Sequence, residues 1–225
     1  MSILCIFDLD GTLLDTLGGI HYHLGVALNS HQFPCPTREQ TRTLVGHGLK
    51  NLVRDSLSSF DQDSENSELV QSILQKLLES YRQDPPRQTC PYPGIPEVLH
   101  SLAARGCSLA VLTNKDQDLA QRLVHHFFPD LFFSVIGSGP AWPRKPAPDS
   151  STHLRTSSGA RGSLFIGDSE VDIRTAKAAG IPAAGVTWGF RDRPVLEREA
   201  PDWLVDRPGD LIGIVLGLAE ALESP

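Results

Sequence analysis

The feature that most constrains this chain is a set of short apolar runs that do not alternate. Ile3 to Phe7, Leu109 to Leu112, Phe132 to Ile136, Leu164 to Ile166 and Ala183 to Val186 all have strand length and are nearly continuous in apolar residues. A strand with one wet face alternates apolar and polar residues, whereas a strand covered on both faces does not. Helical patterns lie between the runs. Ile95, Val98, Leu99 and Leu102 mark one face, with Gly106 as a stop. Leu119, Leu123 and Phe127 follow Asp116, and Ile173, Ala176 and Ala179 precede Gly180. Strand, helix, strand, helix predicts an α/β fold: a Rossmann-like parallel sheet with helices on both faces.

One connection is too long for that rhythm. After Phe7 the next convincing strand begins near Ser108, a gap far beyond an ordinary crossover. The gap reads as helices. His21 to Asn29 is weakly periodic, Leu49 to Leu57 more clearly so, and Leu69, Ile73, Leu77 and Tyr81 define a face. Ser58 to Ser67 is polar and reads as a loop, and Asp84-Pro85-Pro86 ends the last helix. The expected organisation is an α/β core of residues 1–14 and 87–225 with a small all-helical domain, 15–86, inserted after the first strand. A chain of 225 residues has room for both.

Composition excludes more than it proposes. No apolar run approaches the roughly 18 residues of a membrane span. The net charge of −7, with no Lys/Arg cluster, argues against nucleic acid as a partner. Cys5, Cys35, Cys90 and Cys107 are too widely spaced for a C-x-x-C site, and Cys5 and Cys107 read as buried free thiols. No basic stretch precedes the short N-terminal apolar run, so no secretory leader is expected. A cytoplasmic, reducing location fits these features.

The polar residues at the strand ends carry the chemistry. Ile3–Phe7 runs into Asp8, Leu109–Leu112 into Thr113, and Leu164–Ile166 through Gly167 into Asp168. In an open parallel sheet these ends meet at one edge, where ligands bind. Two carboxylates brought that close repel unless a cation lies between them, and oxygen ligands favour magnesium. In Asp8-Leu9-Asp10-Gly11 the two acids share a direction on an extended chain, and Gly11 permits a sharp turn. One carboxylate is then placed to attack or bind metal and the other to transfer a proton. Thr113-Asn114-Lys115 offers a hydroxyl and N–H groups before a helix, an anion site by geometry. In Arg144-Lys145-Pro146-Ala147-Pro148 the prolines stiffen the segment that carries Lys145. Gly167-Asp168-Ser169-Glu170-Val171-Asp172 adds a second acidic pair. Each segment alone also has an ordinary reading: an Asp-rich turn, a helix cap, a surface lysine, an N-cap.

Taken together, D-L-D-G-T-L, L-T-N, K-P and G-D-S-x-x-D, in this order and on this strand pattern, resemble the four motifs of the haloacid dehalogenase superfamily. Tyr92-Pro93-Gly94 and Gly185-Val186-Thr187-Trp188-Gly189 extend the likeness. A helical insert after the first motif resembles the C1-capped branch, and the chain looks most like phosphoglycolate phosphatases. The resemblance implies a magnesium-dependent phosphatase of small phosphorylated metabolites. Asp8 is then the nucleophile that forms an aspartyl-phosphate, and Asp10 the general acid and base. Magnesium is held by Asp8, the Asp10 backbone carbonyl and Asp168, while Asp172 orders the metal's surroundings. Thr113, the Asn114 N–H and Lys145 bind the phosphoryl oxygens, and the inserted domain acts as a cap. Asp10 disfavours dehalogenation, which needs no such acid. A pyrophosphatase, a sugar-phosphate phosphatase or a phosphosugar mutase remains open on the same scaffold. So does a catalytically silent metal- or partner-binding protein.

Substrate choice is expected in the insert. Gly46-His47-Gly48 precedes the helix of Leu49, Leu52 and Val53, with Lys50 and Arg54 close behind. The glycines permit close approach and the helix start favours an anion, so this loop suits a small anionic leaving group such as that of 2-phosphoglycolate. A glycine-rich helix start with a surface histidine is the plain alternative. His21-x-His23 is expected as two surface histidines rather than a metal site, since the spacing separates their faces. Trp142, Trp188 and Trp203 read as packing residues.

Overall fold

A computed structural model of the chain describes residues 3–60 and 64–223. The chain divides into two compact units, one of Met1–Asp15 with Pro91–Pro225 and one of Thr16–Cys90. The first unit opens with β1 (Ile3–Phe7) and a short β2 (Leu14–Asp15). The second unit follows with α1 (Leu17–Ser30), α2 (Arg38–Leu44), α3 (Leu49–Ser58) and α4 (Ser67–Gln83). The chain returns through β3 (Cys90–Pro91), α5 (Ile95–Ala104), β4 (Ser108–Asp116) and α6 (Gln117–Phe127). Then come β5 (Ser134–Ser138), α7 (Asp149–Ser158), β6 (Gly162–Gly167) and α8 (Glu170–Ala178). The remaining elements are β7 (Ala183–Val186), α9 (Arg193–Arg198), β8 (Trp203–Val205) and α10 (Asp210–Ala221).

The main sheet has the order β5-β4-β1-β6-β7-β8, and its strands run parallel. From β1 the chain builds outward to β4 and β5, then returns to build the other half. The order therefore reverses beside β1, the point where open α/β sheets bind ligands. Phe7 pairs with Val111 on one side and Ile166 on the other. Side chains along β1 alternate between two cores. Ile3, Cys5 and Phe7 pack with Leu99 of α5 and Val215 of α10, whereas Leu4 and Ile6 pack with Leu154 of α7 and Ile173 of α8. Both faces are covered, which is why the run is apolar throughout. Each such side chain contributes about 1.5–3 kcal/mol relative to exposure.

Several elements differ from the sequence reading. β4 does not stop at Leu112 but runs to Asp116, with its register to β5 shifting between Leu112 and Asp116. The third strand is Ser134–Ser138 rather than Phe132–Ile136, because the Phe132 ring packs edge-on against Phe7 at 6.3 Å and Phe128 at 6.0 Å. The apolar pattern of the sequence does not mark β2, α2, β3, α7, α9, β8 or α10. The expected loop at 58–67 is shorter, since α3 reaches Ser58 and α4 begins at Ser67; residues 61–63 lie outside the described ones.

The second unit is built from amphipathic helices. Val70, Ile73, Leu77 and Tyr81 form the buried stripe of α4, and Leu52, Val53 and Leu57 that of α3. Thr37 starts α2 with a capping box, accepting from Gln40 N–H at 3.2 Å while the Gln40 side chain accepts from Thr37 N–H at 2.8 Å. His23 is not a surface residue. It is buried, 2.8 Å from the Ser80 hydroxyl through Nδ1, with its ring 4.1 Å from that of Tyr81. A polar neighbour and an aromatic face make an imidazole tolerable in a helical core. His21 meets the Thr41 hydroxyl at 3.1 Å.

Candidate active site

Three adjacent strands deliver the site. Asp8 follows β1, Thr113 to Lys115 form the extended end of β4, and Asp168 follows β6. Lys145 comes from the connection between β5 and α7, and Asp172 from the first turn of α8. Asp8, Asp168, Asp172, Thr113, Asn114, Lys115 and Lys145 are all buried. The sequence-expected core residues are therefore brought together around the end of β1.

Asp8 is fixed on one oxygen. Its Oδ1 accepts from the Leu9 N–H at 2.7 Å and lies 2.9 Å from the Lys145 ammonium. The same ammonium donates to Asp172 Oδ1 at 2.6 Å. The other oxygen of Asp172 accepts from the Ser169 N–H at 3.1 Å and the Ser169 hydroxyl at 2.6 Å. Asp172 thus caps its own helix and carries part of a buried ion pair at once. Lys145 is held through its backbone as well: its N–H donates to Asn114 Oδ1 at 2.9 Å, and the Asn114 amide donates to the Lys145 carbonyl at 3.2 Å. The expected use of Asn114 was its own backbone N–H; its side chain also locks the lysine loop to β4.

Asp168 occupies a narrow niche. Its Oδ1 accepts from the Thr12 hydroxyl at 3.0 Å and its Oδ2 from the Phe190 N–H at 2.7 Å. Gly11, at φ +85°, lies so close that a Cβ there would come within 2.4 Å of Asp168 Oδ2. At Gly189 a Cβ would come within 2.2 Å of Asp168 Cβ and 2.4 Å of the Gly11 carbonyl oxygen. Trp188 closes the niche by donating from Nε1 to the Thr12 carbonyl at 3.0 Å. It is thus more than the packing residue its sequence context suggested.

Asp10 stands apart from this acidic cluster. Its carboxylate is held by Lys115, whose ammonium lies 3.0 Å from Oδ1 and 3.3 Å from Oδ2. Lys115 stands in the Thr113-Asn114-Lys115 segment, where the sequence marks the hydroxyl and the N–H groups but not the lysine. A lysine at a strand end next to a helix looks like a surface residue, and no local pattern betrays its burial.

The carboxylates of the site are concentrated and buried. Carboxylate oxygens of Asp8, Asp168 and Asp172 lie within 4.8 Å of one another. Burial pushes Asp8 up to about 7, with Lys145 pulling down and Asp172 pushing up. Burial also lifts Asp168 to about 8, helped by the charges of Asp172 and Asp8 and opposed by the Phe190 N–H. Burial alone would lower Lys145, but Asp172 and Asp8 hold it well above the usual lysine value. Four aspartates face two ammonium groups here, leaving two negative charges when all are ionised. An all-oxygen cluster with that residual charge fits one hard divalent cation such as magnesium.

The loop expected to choose the substrate lies within the second unit. Gly46 and Gly48 have φ of 124° and 85°, and Gly48 is the N-cap of α3. His47 is exposed, and its carbonyl accepts from the Asn51 amide at 2.9 Å. Lys50 and Arg54 are exposed on α3, with Arg54 Nε 3.3 Å from Asp55 Oδ1.

A parallel sheet in this strand order, with paired carboxylates and ammonium groups buried at its switch point, has the layout of an α/β protein that binds its ligand at the C-terminal strand ends. The chain belongs to the haloacid dehalogenase-like hydrolases, whose family model matches residues 5–186. It is 33% identical to a phosphoglycolate phosphatase of Agrobacterium fabrum, over all of this chain and 95% of that protein. It is 35% identical to one of Rhodobacter capsulatus, over 87% of this chain and 89% of that protein. Among solved structures it is similar to a predicted phosphoglycolate phosphatase from Haemophilus somnus, at 28% identity and a TM-score of 0.86, covering 94% of this chain and 97% of that one.

Proposed function

We propose that this hydrolase is a magnesium-dependent phosphatase that cleaves a small anionic phosphate ester, such as 2-phosphoglycolate, through an aspartyl-phosphate on Asp8. The observation that carries this reading is the buried Asp8 carboxylate at the sheet's switch point, held by Lys145 and crowded by Asp168 and Asp172. The relatives named phosphoglycolate phosphatase support the substrate class.

Asp8 attacks phosphorus, and the bond to the leaving oxygen breaks as Asp10 gives that oxygen a proton. Asp10 then takes a proton from the water that hydrolyses the phosphoenzyme. The Lys145 ammonium, the Thr113 hydroxyl and the Asn114 N–H hold the phosphoryl oxygens. Asp8, Asp168 and the Asp10 carbonyl, with Asp172 beside them, would hold magnesium, which would supply the positive charge that lets an anionic nucleophile meet a phosphoryl dianion. The helical unit of Thr16–Cys90 serves as the cap that excludes water. Within it, Gly46, His47 and Gly48, with Lys50 and Arg54, read the anionic leaving group. Free thiols at Cys5, Cys35, Cys90 and Cys107 support a reducing, cytoplasmic location. Among the described residues no helix is long and apolar enough to cross a membrane.

A panel of phosphate esters tests this reading. With magnesium, kcat/KM for 2-phosphoglycolate should exceed that for neutral sugar phosphates and for inorganic pyrophosphate. His47→Ala should erode that preference more than it slows p-nitrophenyl phosphate hydrolysis. A preference for hexose phosphates would remove the proposed substrate class, and unchanged selectivity in His47→Ala would show that the loop does not read the substrate this way.

A further inference from the structure

Lys115 is unusual in two respects. Its side chain is 1% exposed, yet it ends in an ammonium that reaches both oxygens of the Asp10 carboxylate. A buried ammonium is costly unless its position is well fixed and its partner close. Here the position is fixed by the backbone. The Lys115 N–H donates to the Thr113 hydroxyl at 3.2 Å, so the strand end is tied to itself. β5 then presses on it from the side. Gly137 packs so tightly that a Cβ there would come within 2.8 Å of the Lys115 carbonyl oxygen and 2.7 Å of Gln117 Cα. The Gln117 side chain bridges the same strand, accepting from the Gly137 N–H at 2.6 Å and donating to the Val135 carbonyl at 3.0 Å. The register shift in β4 between Leu112 and Asp116 falls on these residues and re-aims the strand end.

We infer that Lys115 is the positioning residue for Asp10: it holds the carboxylate that exchanges a proton with the leaving group and the attacking water. This rests on the proposed acid–base role of Asp10. Asp10 lies three residues past β1, just before the turn at Gly11, and two rotatable bonds separate its carboxylate from the chain. Proton transfer needs the carboxylate within about 2.6–3.2 Å of the leaving oxygen. A two-point contact from a rigid strand end supplies that restraint, and one segment then serves two loops. Asn114 fixes the Lys145 loop through a pair of hydrogen bonds while Lys115 fixes the Asp10 turn.

Leaving-group dependence separates this role from a merely structural one. Wild type, Asp10→Asn, Lys115→Met, Lys115→Arg and the Asp10→Asn/Lys115→Met double variant are each assayed on p-nitrophenyl phosphate, phenyl phosphate and an alkyl phosphate. General acid catalysis is worth about 10²–10⁴-fold, and a leaving group of low pKa needs little of it. Lys115→Met should therefore lose roughly 10²-fold more kcat on the alkyl ester than on p-nitrophenyl phosphate. Lys115→Arg should recover part of that difference. In the Asp10→Asn background, Lys115→Met should add little. Equal loss on all three esters in Lys115→Met, with Asp10→Asn still leaving-group dependent, overturns the positioning role and spares the acid–base reading. Equal loss on all three in Asp10→Asn overturns both. Should Lys115→Met fail to fold, Lys115→Arg carries the same comparison, with uniform loss as the overturning result.

Discussion

The Lys145 ammonium lies 2.9 Å from Asp8 Oδ1, with both side chains nearly sealed from water. Burial drives the Asp8 carboxyl up and Lys145 pulls it back, so this contact keeps the proposed nucleophile from being driven higher than about 7. Replacing Lys145 with Met should cost kcat/KM about 10²–10³-fold, by analogy with the loss of one donor to a transition-state oxyanion. It should also cost about 3–5 kcal/mol of stability in the metal-free protein, because Asp8 and Asp172 lose their shared cation. Steady-state kinetics and chemical denaturation in chelator check the two figures.

Asp8→Asn should lower turnover by on the order of 10⁴-fold or more, since an amide cannot attack phosphorus. Folding should be retained, because Lys145 keeps Asp172 as its partner and one buried carboxylate is removed. Phosphate release and a thermal melt decide it. Substantial activity in the pure variant would exclude Asp8 as the nucleophile.

Metal dependence carries a pH signature. Asp8 and Asp168 protonate at about 7 and 8 in the folded metal-free protein, while unfolded aspartates do so near ~4. The folded state therefore holds protons that the unfolded chain has released, and metal-free stability should fall as pH rises from about 4 to about 8. Magnesium needs the deprotonated carboxylates, so its binding should release protons and tighten as pH rises through that range. Calorimetry in buffers of differing ionisation enthalpy measures the proton count. Chelation should abolish activity, magnesium should restore it, and calcium, with its looser shell, should inhibit. Full activity after thorough chelation would refute the metal site.

Gly189→Ala should damage the site from outside the proposed machinery. Its Cβ would collide with Asp168 and with the Gly11 carbonyl, so Asp168 must move. Overpacking of this kind costs about 1–3 kcal/mol. The expected result is a folded protein with weakened magnesium affinity and at least about tenfold lower kcat/KM, an expectation that titration of the metal against activity would check.

Leu77→Ala should destabilise the second unit by about 2–5 kcal/mol, since Leu77 is fully buried in the stripe of α4. Hydrogen exchange should show the loss mainly in α1, α3 and α4, and protection lost equally in β1 would argue against separate cooperativity of the two units.

The sequence by itself determined the parallel sheet and the convergence at its edge. Ile3–Phe7 and Ala183–Val186 are apolar at every position because both faces are covered, and the residue that follows such a strand must turn toward the edge. Asp8, Thr113 and Asp168 were legible for that reason. What stayed hidden depends on contacts between distant segments. β8 has three residues and α10 carries glycines within an apolar stretch, so neither shows a clean period, and packing decides both. The burial of Lys115, the two-sided use of Asp172 and the Asn114 clamp on Lys145 are likewise absent from any local pattern. Only the fold, by bringing strands β4, β1 and β6 side by side, set two ammonium groups among four aspartates, because charges remote in the chain are paired by the sheet's order and not by their spacing.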